Sequence, residues 1–330
     1  GDLPANWTEA TNAIIEATNE KAEGVATRKA SQNAIGALAP LLPEFLGGSA
    51  DLTGSNLTST SSFVHVDGKK PGNYISYGVR EFGMAAIMNG MALHGGLIPF
   101  GGTFHMFSDY MKNGMRMSAL MHQRVIYVLT HDSIGQGEDG PTHQPIETTS
   151  GLRYIPSMDV WRPGSSTETT VAWVAAVEKK DGPASLVLSR QNVAGMKHDA
   201  AQLPLMRKGG YVLSEVAGAQ VTLIGTGSEL ELVVKAAAEL NANGVKTRVV
   251  AMPSKNVFDR QDAAYKSSVL GTAKRVAVEA GVSDFWRKYV GLEGAVVGID
   301  TFGESAPGGV LMKHFGFTVE NVVATVKSVL

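Results

Sequence analysis

Between Tyr77 and Gly90 the chain reads YGVREFGMAAIMNG, which places one carboxylate, Glu81, at the mouth of an apolar stretch that runs on to Leu93. Two kinds of chemistry suit a glutamate there. At a helix N-terminus the dipole stabilises it by about 0.3–1 kcal/mol. Held out of water, its pKa rises by desolvation and it can handle protons. The residues that follow are rich in Ala, Gly and Met, so a second backbone could come close, as at a subunit interface.

Further on comes GGTFHMFSDYMKNGMRMSALMHQ. Phe104, Phe107 and Tyr110 recur at spacing three, which predicts one helix face. Such a stripe packs in a core or forms a flat wall for a planar heterocycle. The preceding Gly101-Gly102 would let the chain turn sharply beside such a ring. The stretch THDSIGQGEDGPTHQPIE is too rich in glycine and polar groups for a regular element, and long loops of this kind are commonly functional. Its His131, Asp139 and His143 lack a recognisable metal-ligand spacing, so no metal site is assigned. Arg28 in TRKASQN and Arg190 in LSRQN carry planar forks that match phosphate. With Ser55 and His131 they would suit a sugar phosphate; taken singly, they fit surface salt bridges equally well.

These residues need elements to hold them. Short apolar or β-branched runs near 44–48, 96–100, 124–130, 159–162 and 185–190 predict strands. Helical patterns lie between them near 31–39, 81–94, 105–122 and 167–180. Residues 191–210 lose periodicity and read as a linker. A second alternation follows: strands near 220–225, 246–252, 275–279 and 295–299, with helices near 228–242 and 319–330. The reading is α/β, with one domain over 1–200 and a smaller one over 201–330. Parallel sheets bind ligands at the carboxyl ends of their strands. That rule predicts Asp51, Ser55, His131, Asp132 and Arg190 on one edge, together with the 134–145 loop.

Composition bounds the rest. Of 330 residues, 44% are hydrophobic and 18% charged, with net charge −2 and no basic block, so nucleic acid is not an expected partner. The absence of cysteine excludes disulfides and thiolate metal sites and suits a reducing cytoplasm. No apolar run is long enough to span a bilayer, so no membrane partner is expected. Two motifs read as turns. LIGTGSELELV lacks the third glycine of a dinucleotide fingerprint and has no acid near 249–251, so it is a tight strand-to-helix turn, at most an incidental anion site. TFGESAP is a turn whose hydroxyls and Glu304 could help dock the domains.

With GGSADLTGSN, YGVREFGM, THDSIGQGEDGPTHQP, LSRQN and TFGESAP standing in this order, the chain resembles the transketolase family over its whole length. The resemblance is to that family's pyrimidine-binding and C-terminal domains. It implies thiamine diphosphate as cofactor, with Glu81 hydrogen-bonded to a ring nitrogen of the aminopyrimidine and thereby favouring the imino tautomer that deprotonates the thiazolium carbon. It implies that Phe104, Phe107 and Tyr110 line the pyrimidine pocket with Asp51 nearby. Arg28, Ser55, His131 and Arg190 would hold a sugar phosphate, Asp139 a sugar hydroxyl, and His143 would lie near the reacting carbon. The implied reaction is reversible transfer of a two-carbon ketol unit between sugar phosphates such as xylulose 5-phosphate, ribose 5-phosphate and erythrose 4-phosphate, as in the pentose phosphate pathway and the Calvin cycle.

The family's diphosphate-binding domain carries a G-D-G motif that binds Mg²⁺, and no G-D-G occurs in this sequence. The opening GDLPANW resembles the family's interdomain junction, so the chain reads as half of a catalytic apparatus. Mg²⁺ is expected from a separate diphosphate-binding domain or subunit, and the chain alone is expected to bind the cofactor poorly. A symmetric homodimer is expected through the 81–94 helix. Two other readings stand beside this one: the β subunit of a 2-oxo acid dehydrogenase, and an inactive module that only dimerises.

Overall fold

The computed structural model describes residues 1–330. The short apolar runs of the first half become six parallel strands: β1 (Phe45–Ser49), β2 (Tyr74–Ser76), β3 (Ile98–Phe104), β4 (Ile126–Thr130), β5 (Asp159–Trp161) and β6 (Ala184–Leu188). They lie in the order β2-β1-β3-β4-β6-β5. Central β4 and β6 are buried at every position, as expected for strands covered on both faces. One covering layer holds α1 (Trp7–Lys21), α2 (Thr27–Leu38) and α7 (Ser166–Glu178). Helix α7 lies between the sheet and the other two helices, so 11 of its 13 residues are buried and it shows no polar stripe. The other face carries α4 (Glu81–His94) and α5 (Ser108–Leu120), packed through Met84, Met88, Met111 and Met115. Short α3 (Thr53–Asn56) and α6 (Thr148–Arg153) stand at the strand ends.

The expected linker holds only the one-turn α8 (Leu203–Met206). Beyond it, β7 (Tyr211–Ser214), β8 (Val221–Gly225), β9 (Thr247–Ala251), β10 (Lys274–Val278) and β11 (Ala295–Val297) form a second sheet in the order β11-β10-β8-β9-β7. All of its pairings are parallel except the antiparallel β7 edge. Helix α9 (Leu230–Ala242) and the closing helix Val319–Val329 pack one face around a core that includes Val233, Ala236, Val322 and Val326.

Helix α1, strands β2 and β7, and several short helices, α3, α6 and α8 among them, lie outside the sequence expectations. A further difference concerns the aromatic stripe. Strand β3 continues through Phe104, Phe107 sits in a 3-10 turn, and only Tyr110 belongs to α5, so the three rings share no helix face. Gly101 and Gly102 make no turn. Both are buried inside β3, where a Cβ on Gly101 would lie 2.8 Å from the sulfurs of Met84 and Met88. The small size of Gly101 serves the close approach of α4 to the sheet, and that of Gly102 the approach of Asn56 and Thr58.

Candidate active site

Strand register dictates which residues meet. Phe104 pairs with Thr130, and Thr130 with Leu188, so three neighbouring strands end level. The residues just beyond them, His131 and the Ser189-Arg190 pair, therefore emerge beside Phe104. Ser49 pairs with Gly102, which places the turn after β1, with Asp51, next in line. The sheet order reverses direction between β1 and β3, the usual place for a ligand crevice in such folds.

Backbone strain marks the same edge. Asp51 and His131 both have left-handed backbone, with φ of 62° and 66°. Non-glycine residues hold such angles only where their surroundings fix them. For His131 the fixing groups are visible. Ser49 Oγ donates to Asn56 Oδ1 at 2.9 Å, Asn56 Nδ2 donates to Thr130 Oγ1 at 2.8 Å, and Thr130 Oγ1 lies 2.9 Å from His131 Nδ1. All four side chains are buried.

Glu81 is the first residue of α4 and is 7% exposed. Its single hydrogen bond is a long one, 3.4 Å from Thr103 Oγ1 to Oε1. A helix-capping acid would face water or the first-turn amides; this one is buried against the residue that precedes Phe104. The second carboxylate oxygen makes no bond within the chain.

The rings form a shelf. Phe104 and Phe107 stack with centroids 5.6 Å apart and planes at 25°. The His131 ring lies 3.8 Å from Phe104, and the His143 ring meets Phe107 edge-on at 5.2 Å. Tyr110 continues the row at 5.9 Å from Phe107 and is 70% exposed. His143 is half-buried, and Thr142 Oγ1 lies 2.8 Å from its Nδ1, so its Nε2 carries no partner.

Arg28, the second residue of α2, donates to the Ser55 carbonyl at 2.7 Å, which joins α2 to the turn after β1. Burial lowers the Arg28 pKa, and the nearby Arg190 charge lowers it further. Two neighbouring guanidiniums that repel each other are a site for an anion. His131 responds to the same field: burial first, then Arg28, Arg190 and His143, bring its pKa down to about 3. At neutral pH it is an uncharged hydrogen-bonding group, and the positive charge comes from the arginines. Asp51 and Asp139 are exposed, and no hydrogen bond ties either to the other site residues.

Asp132, placed on this edge by sequence, faces elsewhere. Its carboxylate is 1% exposed and takes Arg162 Nη2 at 2.8 Å and Nε at 3.1 Å. Arg162 also binds Glu229 and, at 3.3 Å, Glu279 of the second domain. Arg153 pairs with Glu279 through two bonds, 2.6 and 2.9 Å. Sequence reasoning missed this cluster because its partners lie 30 to 126 residues apart, with no local spacing to betray them. LIGTGSELELV is the tight strand-to-helix turn expected, with Gly227 at φ 57°. The turn receives a cation, since Arg162 reaches both Glu229 and the Thr226 carbonyl.

TFGESAP docks the domains as the sequence suggested. Gln144 Nε2 donates to the carbonyls of Gly137 and Glu304 at 3.0 and 2.9 Å, and Ser305 Oγ donates to the Glu138 carbonyl at 2.6 Å. The loop bearing Asp139 and His143 is thereby held against the second domain. No group of three or more His, Asp or Glu side chains is placed to hold a metal ion. No helix is long and apolar enough to cross a membrane.

Comparison with known proteins then decides the family. Residues 23–196, more than half of the 330, match the family described as transketolase, pyrimidine binding domain. The chain belongs to the transketolase family. Residues 209–318 match the transketolase-like C-terminal domain. Transketolase 2 of Pasteurella multocida is 59% identical over 337 aligned residues, covering all of this chain and 50% of that protein. The chain thus spans about half the length of the curated relatives it matches. A Pichia stipitis transketolase solved as a complex with sedoheptulose 7-phosphate superposes with a TM-score of 0.91 at 39% identity, covering 99% of this chain and 48% of that one. A split-gene transketolase, described as an inactive β4 tetramer, superposes with a TM-score of 0.74 at 26% identity and covers 93% of this chain and 99% of its own.

Proposed function

We propose that this chain is the pyrimidine-binding and C-terminal part of a transketolase catalytic unit, with the two parts meeting near residue 200. Its reaction is reversible transfer of a two-carbon ketol unit between sugar phosphates, once a diphosphate-binding domain or subunit and Mg²⁺ complete the site. The observation that carries this reading is Glu81, a carboxylate kept from water beside a stack of aromatic rings, with one oxygen left free of protein partners.

An aminopyrimidine fits these residues. It is flat, it stacks on Phe104 and Phe107, and its ring nitrogen meets an acceptor no water contests. Thiamine diphosphate supplies, when bound, the electron sink that lets a carbon–carbon bond beside a carbonyl break. The chain's own work is positional. Glu81 holds a proton at the ring nitrogen, Phe104, Phe107 and Tyr110 fix the plane of the ring, and Asp51 borders the pocket. His143, seated on the edges of two rings, offers its free Nε2 to the substrate next to them. Arg28 and Arg190 receive the phosphate end, with neutral His131 and Ser55 as uncharged partners and Asp139 accepting from a sugar hydroxyl.

The arginine pair favours phosphorylated sugars over the short oxo acids of a 2-oxo acid dehydrogenase, whose substrates carry no phosphate for such a pair to hold. The exposed apolar residues of α4 and its entry, Val79, Phe82, Ile87 and Leu93, support pairing with a second copy through that helix. Calorimetric titration of thiamine diphosphate with Mg²⁺ into the chain, alone and mixed with a transketolase diphosphate-binding half, tests the reading. Binding and ketol transfer in the mixture, with little binding by the chain alone, are the expected result. No binding and no turnover at any mixing ratio would leave only the dimerising module.

A further inference from the structure

The cluster behind the shelf touches it from two sides. On one side, Glu229 binds Arg162, which binds the carboxylate of Asp132, the residue that directly follows left-handed His131. The His131 ring lies 3.8 Å from that of Phe104. On the other side, Glu279 holds Arg153 at the end of α6. One turn earlier on the same helix, Thr149 Oγ1 lies 2.8 Å from Nε2 of His105, the fully buried residue between Phe104 and Phe107. Both lines begin on a carboxylate of the second domain and end on the same group of rings.

The carboxylates are saturated. Glu229 also accepts the Ala280 amide at 3.0 Å, and Glu279 accepts Trp286 Nε1 at 2.8 Å. Burial pushes Glu279 toward the neutral acid, but Arg153 and then Arg162 outweigh it and hold the group below the usual carboxylate range. A buried pair joined by several bonds is stiff, and loss of one member strands the other charge away from water.

We propose that Glu229 and Glu279 are positioning residues for the histidine and aromatic wall, acting through Arg162 and Arg153, so that docking of the second domain sets the geometry of the first domain's site. What that wall receives rests on the function proposed above; the positioning itself does not. An internal control exists on β5. Arg162 follows its carboxyl end, whereas Asp159 at its amino end makes a two-bond pair with Arg260 of the second domain, at 2.6 and 2.8 Å. That pair also joins the domains but does not lead to the shelf.

Amide hydrogen exchange of the full chain, read by mass spectrometry well below the thermal transition, provides the test. Glu229→Gln and Glu279→Gln should each speed exchange in peptides spanning 103–109 and 129–133 by about tenfold, or ~1.4 kcal/mol of local stability. Asp159→Asn should lower the thermal transition yet leave those peptides unchanged. Each glutamine variant leaves Arg162 two carboxylates, so if one does not fold the other decides. Unchanged exchange in the glutamine variants, or the same acceleration in Asp159→Asn, overturns the proposal. In the mixture with the diphosphate-binding half, thiamine diphosphate affinity should fall about tenfold for the glutamine variants and hold for Asp159→Asn. If the unmodified mixture binds no cofactor, the functional reading fails while the exchange result still decides the positioning.

Discussion

The carboxyl edge of the first sheet and the cluster between the domains collect the same kinds of side chain, yet they are built to opposite ends. In the cluster, every carboxylate is bonded to arginine and is at most 3% exposed. At the edge, Glu81 is also buried, at 7% exposure, but has one long bond, two arginine charges repel each other, and His131 is held in a left-handed conformation. Burial is thus no guide to which group does chemistry. Incomplete satisfaction is, because an unmet donor or acceptor in a folded protein is a place for a ligand.

That contrast can be broken by substitution. Glu81→Ala in the completed enzyme should lower turnover by about 10²–10⁴-fold, the range for a lost proton-handling group, without lowering the thermal transition of the chain. Activity near that of the unmodified enzyme would return Glu81 to a helix-end role. Arg162→Ala should act first on stability, with any loss at the site following from it. It strands Asp132 and Glu229 and should cost about 3–5 kcal/mol in denaturant unfolding. A loss under 1 kcal/mol would mean that water enters the cluster.

Smaller effects sharpen the comparison. Arg190→Ala should raise KM for phosphorylated sugars by about tenfold with kcat little changed, since a phosphate contact exists in the ground state as well. An equal effect on unphosphorylated substrates would remove the phosphate role. The two regions also differ in acid. Burial lowers His131 and His105 to about 3, so below the ordinary value near 6.5 the unfolded chain takes up protons that the folded chain does not. Stability should therefore fall as pH drops from about 6.5 toward 3, by up to ~1.4 kcal/mol per pH unit for each histidine. His131→Gln should flatten that slope by about one proton, measured by urea unfolding at stepped pH.

How much of this was legible in the sequence depends on how local the cause is. Helix α4 begins and ends where its apolar pattern does, and the strand ends that carry Asp51, His131 and Arg190 follow from period and turn residues. The three rings do lie side by side, but not on the single helix expected of them. Spacing three suits a helix equally well, and the glycines that looked like a turn are the ones against which Met84 and Met88 (at Gly101) and Asn56 and Thr58 (at Gly102) pack. Strand β7 is four residues long with no alternation beyond its first position, so it leaves little pattern to read. The cluster was invisible for a different reason. Arg153, Arg162, Glu229 and Glu279 are ordinary surface residue types until two domains close over them.

Strand β5 has three residues, with an ion pair to the second domain at its first position and another at the residue just past its last. Two bolts so close together, at opposite ends of one short bar, leave no pivot: swinging the halves apart about either would shear the other. The polypeptide between residues 191 and 210 is then no hinge, and cutting it should not release the pieces it connects.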